Sequence, residues 1–271
     1  MRLRKRYILL LIIVVWITSC GRSGGRNGTS TSETATMQKL FEVVLEPVGS
    51  TMYIWGGGWD PNDAKAGKTA TQIGVDKRWA EFAEKQDKIY DFKEHMDEQE
   101  NGLDCSGYVG WVIYNLFEDR DGQDGYVSLS TGMAENLANR GWGKLIRNPH
   151  EFLPGDIVSM QGHVWISLGT CEDGSVLLVH SSPPGVSICG TVIPEAEETE
   201  DMEQADSVAI QLAEAYMSSN YSNWQEKYPN RAVPSSYLEN VTVLRWNSDT
   251  LKDASEYQSF SGEEILEILQ K

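Results

Sequence analysis

The segment that decides the fold lies at 102–111 and reads Gly102-Leu103-Asp104-Cys105-Ser106-Gly107-Tyr108-Val109-Gly110-Trp111. Apolar side chains continue at helical spacing as far as Phe117, which predicts a helix with Cys105 in its first turn. Unpaired backbone N–H groups and the positive end of the helix dipole favour a thiolate at such a position. Cys105 is therefore predicted to be a nucleophile of lowered pKa, although a free cysteine is also a common core residue.

Two glycines, Gly107 and Gly110, stand inside this predicted helix. Glycine lowers helix propensity by about 1 kcal/mol relative to alanine, so its presence needs a structural reason. We expect another backbone to approach the helix closely at these positions.

Two histidines follow in segments that read as β-strands. His163 comes directly after the turn at Gln161-Gly162, which joins two apolar strands, and His180 ends the strand Val176–His180. Each histidine alone is more typical of a surface or core residue. A cysteine on a helix followed by two histidines on a hairpin, however, matches the order of nucleophile, base and orienting residue in papain-like sites. Together they predict a cysteine hydrolase.

Four segments resemble the NlpC family of bacterial cell-wall cysteine peptidases, in that family's order. They are Tyr53-Ile54-Trp55-Gly56-Gly57, Asp104-Cys105-Ser106-Gly107, Pro154-Gly155-Asp156-Ile157 with the run from His163 to Gly169, and Val179-His180-Ser181. The resemblance extends over the region from residue 38 to residue 194. It implies an α+β protein with a papain-like fold, in which the helix that bears the nucleophile packs on an antiparallel β-sheet.

The resemblance also implies a reaction and its residues. The enzyme would cut the bond between D-glutamate and a diamino acid in peptidoglycan stem peptides. Cys105 would be the nucleophile, His163 the base and His180 the residue that orients it. The substrate-binding residues would be Tyr53, Trp55, Asp104 and Ser106. Many relatives carry a Pro-Arg pair where Leu129-Ser130 stands here, so we expect the substrate contacts to differ in detail from those of relatives.

Two other functions stay open at this point. One is a catalytically silent lipoprotein that binds wall peptides, and the other is a cysteine amidase or transpeptidase that acts on a non-wall amide. No cofactor is implied, and no metal site is predicted because no close pairs of His or Cys stand at ligand spacing.

The N-terminus predicts export. Residues 1–19 carry four basic side chains followed by an apolar run from Tyr7 to Ile17, which is typical of a signal peptide and short for a membrane span. The tetrad Ile17-Thr18-Ser19-Cys20 resembles a bacterial lipobox, which implies cleavage before Cys20 and its lipidation; an uncleaved anchor is the alternative. Residues 20–36 are nearly free of apolar side chains and predict a flexible tether. The protein is thus expected outside the cytoplasm, held at the membrane.

The remaining chain divides into a catalytic domain at 37–194 and an acidic, helical extension at 195–271 that we expect to pack on it. An insertion at 59–101 contains a predicted helix over Asp76–Asp97 and would serve as a lid, a groove wall or a simple surface helix. His95 within it is expected to be solvated. The net charge of −17 argues against nucleic acid as a ligand, and we expect a monomer.

Two local expectations complete the analysis. Ser130 or Thr131 is predicted to cap a helix through Met133–Ala138. Cys171 and Cys189 could form a disulfide in an exported protein. A simple meander would place a whole strand between them, about 9 to 10 Å, which is too far for a bridge.

Overall fold

One mostly antiparallel sheet organises the computed structural model, which describes residues 35–117, 124–193 and 207–270. Its strands run in the order β1-β7-β2-β3-β4-β5-β6, and every pairing is antiparallel except that of β5 with β6. The strands are β1 (Gly143–Arg147), β2 (Ile157–Met160), β3 (His163–Thr170), β4 (Val176–Ser182), β5 (Gly185–Thr191), β6 (Ala232–Val233) and β7 (Thr242–Trp246). With the helices this confirms the predicted α+β class.

The helices in the described part of the chain cover mainly one face of this sheet. They are α1 (Met37–Leu45), α2 (Lys77–Lys85), α3 (Cys105–Phe117), α4 (Met133–Ala138), α5 (Val208–Asn220), α6 (Ser222–Lys227), α7 (Ala254–Tyr257) and α8 (Gly262–Leu269). Helix α3 has the predicted extent and packs on β3 and β4. It is buried along nearly its whole length because apolar side chains surround it on all sides. The Tyr108 hydroxyl donates to the Val44 carbonyl at 2.9 Å and so joins α3 to α1.

The C-terminal segment completes the sheet as well as packing on it. Strand β7 lies between β1 and β2, and β6 extends the opposite edge beside β5. The parts of the chain before and after residue 195 therefore share one hydrogen-bonded sheet. The sequence predicted only that the extension packs on a complete catalytic domain. In the structure the extension also supplies two strands of the sheet.

A buried ion pair fastens β7 to the turn before β2. The Asp156 carboxylate has no solvent exposure, and it accepts hydrogen bonds from Arg245 Nη2 at 2.7 Å and from the Leu153 backbone N–H at 2.9 Å. The Arg245 side chain is one-fifth exposed. Asp156, part of the Pro-Gly-Asp-Ile segment, thus has a structural role here.

Removing this carboxylate is expected to destabilise the protein strongly. Asp156→Ala leaves the largely buried guanidinium of Arg245 with only the Glu151 carbonyl, 2.9 Å from Nη2, as acceptor and the N–H of Leu153 with none, and we expect a loss of about 3 kcal/mol or more in the free energy of unfolding. Urea denaturation followed by circular dichroism measures it. As a control, Glu42→Ala removes the exposed pair with Lys39, at 3.9 Å, and should leave the midpoint unchanged. Equal midpoints for the two variants would contradict the prediction.

The insertion helix is shorter than predicted. Helix α2 ends at Lys85, and a 3-10 turn at Phe92–His95 follows instead of a continuous helix to Asp97. The side chains of Asp87 and Asp91 each accept the backbone N–H two residues on, both at 3.0 Å. Such local bonds compete with helical hydrogen bonds, which explains the early end.

Two further expectations are decided at β2 and β5. The predicted cap of α4 by Ser130 or Thr131 is wrong: Gly132 occupies the cap position, and Ser159 of β2 accepts the Ala134 N–H at 3.0 Å. Cys171 and Cys189 are both free, since β4 lies between β3 and β5 as the meander predicted.

The predicted signal peptide at 1–19, the predicted lipidation site Cys20 and nearly all of the tether at 20–36 lie outside the described residues, as does the acidic run at 195–203. Within the described residues, no helix is long and apolar enough to cross a membrane.

Candidate active site

Asp104 fixes the start of α3 and with it the position of Cys105. One carboxylate oxygen accepts from the Gly107 N–H at 2.7 Å and from the Ser106 hydroxyl at 2.8 Å; the other accepts from the Gly56 N–H at 3.2 Å. These bonds satisfy a free N–H of the first helical turn and anchor the Tyr53–Gly57 segment to it. Cys105 is 8% exposed in this first turn.

The glycines of α3 allow the close approach that the sequence predicted. A Cβ on Gly107 would overlap the carbonyl oxygen of Gly57 and would lie 3.0 Å from the Cα of Gly58. A Cβ on Gly110 would lie 2.6 Å from a methyl group of Val127. The segment after Tyr53 can therefore lie directly against the first turn of α3 only because Gly107 has no side chain.

The two predicted histidines meet on adjacent strands. His163 begins β3, His180 lies in β4, and Nε2 of His163 is 3.0 Å from Nδ1 of His180. The backbone N–H of Val164, next to His163, lies near the Cys105 sulfur, so the start of β3 faces the thiol. With Nε2 engaged by His180, Nδ1 is the nitrogen of His163 left for another partner. The structure thus brings the three predicted catalytic residues into one region.

The charge state of this region differs from the prediction. Burial raises the pKa of the Cys105 thiol to about 12, and the negative charge of Asp104 adds to the rise. Backbone N–H groups of Val164, Ser106 and Cys105 lower it, but by less. Burial also lowers the pKa of His163 to about 4 and that of His180 well below its usual value. The predicted lowered pKa of Cys105 is wrong, because burial and a neighbouring acid outweigh the helix terminus.

A neutral thiol beside a neutral imidazole has a measurable consequence. We expect the rate of Cys105 alkylation by iodoacetamide to rise about tenfold for each pH unit between pH 6 and pH 10, because the thiolate fraction rises in this way below the pKa. Mass spectrometry of tryptic peptides follows Cys105 and, as an internal reference, Cys171, whose pKa burial also raises to about 12. A rate for Cys105 that is flat above pH 7 would indicate a resting thiolate instead.

The predicted substrate-binding aromatics lie on the segment that contacts α3. Tyr53 is 7% exposed, and its pKa is raised by burial and by the nearby charges of Cys105 and Asp104, so its ring adjoins the candidate nucleophile. Trp55 is 56% exposed, which makes it one of the largest apolar side chains open to solvent in the described chain. An exposed indole this close to the region is available to contact a ligand.

Ser106 and Asp104 have internal partners. The Ser106 hydroxyl donates to Asp104 and accepts from the Trp59 indole N–H at 2.9 Å, and Ser106 is 4% exposed. Its hydroxyl therefore joins the insertion to α3. Asp104, 8% exposed, is occupied by the three donors described above. These contacts favour a positioning role for both side chains.

The insertion forms a wall beside Tyr53. The Tyr90 hydroxyl donates to the Tyr53 carbonyl at 2.7 Å, and the Phe92 ring packs edge-on against Tyr53 at 5.2 Å between centroids. His95 stacks on Tyr90 at 5.2 Å between ring centroids, and its Nδ1 donates to the Glu98 carboxylate at 3.1 Å. The expectation of a solvated His95 is wrong, because the ring is held in this aromatic cluster. The contacts favour the groove wall among the alternatives for the insertion.

Sequence reasoning missed Tyr237. Its ring centroid lies 5.4 Å from that of His163 and 5.9 Å from that of His180. Burial raises its pKa to about 12, and the charges of Cys189 and Cys105 contribute. Tyr237 lies in a short 3-10 turn between β6 and β7, in a polar stretch without a motif. Tyr237 reaches the histidines only because β6 and β7, which flank its turn in the chain, both join the sheet.

Comparisons with protein-family models, curated proteins and solved structures found no match to this chain. In the described part of the chain, no group of three or more His, Cys, Asp or Glu side chains is arranged to hold a metal ion.

Proposed function

We propose that this protein is a cysteine peptidase of the NlpC type, with a papain-like arrangement of α3 on the sheet. The proposal rests on one observation above the others: Cys105 begins a buried helix at the strand end where His163 and His180 are paired at 3.0 Å. Nucleophile, base and orienting group are the minimum set for hydrolysis through an acyl-enzyme.

The proposed reaction begins from a neutral Cys105 thiol and a neutral His163 imidazole. Nδ1 of His163 takes the thiol proton as the Cys105 sulfur attacks the amide carbonyl carbon, which gives a tetrahedral oxyanion. Backbone N–H groups at the start of α3 stabilise this oxyanion. The oxyanion collapses, the C–N bond breaks, and His163 gives its proton to the departing amine. Water, deprotonated by His163, then attacks the thioester, and Cys105 leaves with that proton.

His180 holds the His163 ring through the Nε2–Nδ1 contact and supports one tautomer of it. The low pKa of both rings, caused by burial, keeps them uncharged at neutral pH. His163 is therefore free to accept a proton at the start of each cycle.

The proposed substrate is a peptidoglycan stem peptide, cut between D-glutamate and the diamino acid. The four family-like segments support this choice, and Tyr53 and Trp55 border the site where that resemblance expects substrate. Asp104 would bind a free N-terminal amine only through lone pairs not used by its three internal donors.

The setting we propose is extracytoplasmic, with Cys20 lipidated and the protein held as a monomer at the cell membrane. The basic and apolar N-terminal run and the lipobox-like tetrad support it. The acidic net charge of −17 supports partners other than nucleic acid.

One experiment tests the proposal. The protein without residues 1–20 is incubated with purified muropeptides, and mass spectrometry identifies the products beside a Cys105→Ala control. We expect a new free amine on the diamino acid with the wild-type protein and none with Cys105→Ala. Muropeptide binding without turnover would reject the peptidase and favour the silent wall-peptide-binding lipoprotein. Turnover of only a non-wall amide would favour the amidase or transpeptidase.

A further inference from the structure

A cavity of about 380 Å³ adjoins the paired histidines on the side of the C-terminal segment. His180 and Tyr237, which contact each other and His163, both line it. Most of the remaining lining comes from the turn between β4 and β5 and from the chain between α6 and the Tyr237 turn, and β5, the end of α6 and Lys88 of the insertion supply the rest. The cavity therefore adjoins the candidate active site at His180.

The cavity concentrates positive charge in an acidic protein. Its charged lining residues are Lys88, Lys227 and Arg231, and no carboxylate is found among the described residues that line it. Lys88 is exposed, Lys227 is half-buried and Arg231 is 1% exposed, so basic groups run from the surface to the interior. Such a series attracts anions against the overall net charge of −17.

Arg231 lacks partners for most of its guanidinium. Nη2 donates to the Tyr228 carbonyl, but Nε and Nη1 have no hydrogen-bond partner in the described part of the chain. Cys189 and Glu214 act on Arg231 through their charges, and the charge of Arg231 in turn contributes to the lowered pKa of His180. A buried cation with unsatisfied donors is costly, so its retention indicates an external acceptor.

We propose that Arg231 binds a free carboxylate of the substrate in this cavity, next to His180. The inference rests on the proposed peptidase function and adds a specificity-determining residue to it. A carboxylate supplies the planar pair of anionic oxygens that a guanidinium recognises best. Stem peptides carry such groups on D-glutamate and at the chain end. Lys88 and Lys227 guide the anion inward, and Arg231 holds it.

The test compares acids with their amides. Wild-type kcat/KM is measured on L-Ala-γ-D-Glu-L-Lys and on the analogues amidated at the glutamate carboxyl or at the C-terminal carboxyl. We expect one amidation to lower kcat/KM tenfold or more. Arg231→Gln should lose this preference, and Arg231→Lys should retain part of it because the charge is kept. Arg147→Gln is the matched control, since exposed Arg147 lies on β1 at the opposite edge of the sheet and should leave the preference unchanged.

Several results would overturn the inference. They are a wild-type enzyme indifferent to both amidations and a folded Arg231→Gln variant that keeps the preference. If Arg231→Gln does not fold, Lys88→Gln at the exposed end of the series decides: we expect it to reduce the preference several-fold, and an unchanged preference overturns the inference.

Binding separates this inference from the proposed function. Calorimetry of the wild-type protein with N-acetyl-D-glutamate and with N-acetyl-D-isoglutamine needs no turnover. The wild-type protein could bind the acid more tightly than the amide, lose that preference in Arg231→Gln, and yet cleave no stem peptide. That result would support the carboxylate site and reject the peptidase. Cleavage without any acid preference in either assay would support the peptidase and overturn the carboxylate site.

Discussion

His163→Ala is expected to lower kcat on a stem peptide by about 10⁴-fold or more, because it removes the proposed base for a thiol whose pKa is about 12. His180→Asn should cost less, about 10²-fold, since an amide can still contact Nε2 of His163 and hold the ring. Single-turnover measurements on a chromogenic stem-peptide analogue give both values.

The matched control for these variants is His150→Ala, because His150 is exposed and lies outside the site. It should match the wild-type rate. Circular dichroism and melting temperature show whether each variant folds. If folded His180→Asn were as inactive as His163→Ala, the roles of the two histidines would need to be exchanged.

Gly107→Ala is expected to have the largest effect on stability. The new methyl group would overlap the Gly57 carbonyl, and neither backbone can move without losing the Asp104 bonds to Gly107 and Gly56. We expect a loss of about 3 kcal/mol or more in the free energy of unfolding, together with loss of activity. Urea denaturation and the muropeptide assay measure the two effects.

Gly132→Ala provides the control for this change. A Cβ there meets nothing within 4 Å, and its φ of −108° is open to any residue. The free energy of unfolding should change by less than about 1 kcal/mol. Similar midpoints for the two variants would mean that the approach of Gly57 to α3 is not tight in solution.

Local pattern predicted the elements that carry the candidate site. The extent of α3 and the β2–β3 turn follow from spacing and turn residues, which depend only on neighbours in sequence, whereas the α+β class follows from the family resemblance. The glycines of α3 also predicted a close backbone, because nothing else explains two glycines in a buried helix.

What the sequence did not reveal depends on distant contacts. The insertion of β7 between β1 and β2 and the approach of Tyr237 to His163 join residues far apart in the chain, and no local pattern encodes them. The raised pKa of Cys105 depends on distant contacts in the same way. The helix terminus is visible in the sequence, whereas the burial that outweighs it arises only when β3 and the Tyr53 segment close over the thiol.

The position of β7 in the sheet also determines when the sheet can be completed during synthesis of the chain. Because the ribosome makes the N-terminal end first, a growing chain holds Cys105, His163 and His180 well before it holds β7. Until then β1 and β2 lack the strand that joins them, Asp156 lacks Arg245, and Tyr237 is absent or unplaced. An unfinished chain therefore carries every candidate catalytic residue before the sheet beneath them is complete. Completion of the sheet, and the placing of Tyr237 against the two histidines, waits until the C-terminal segment has been made.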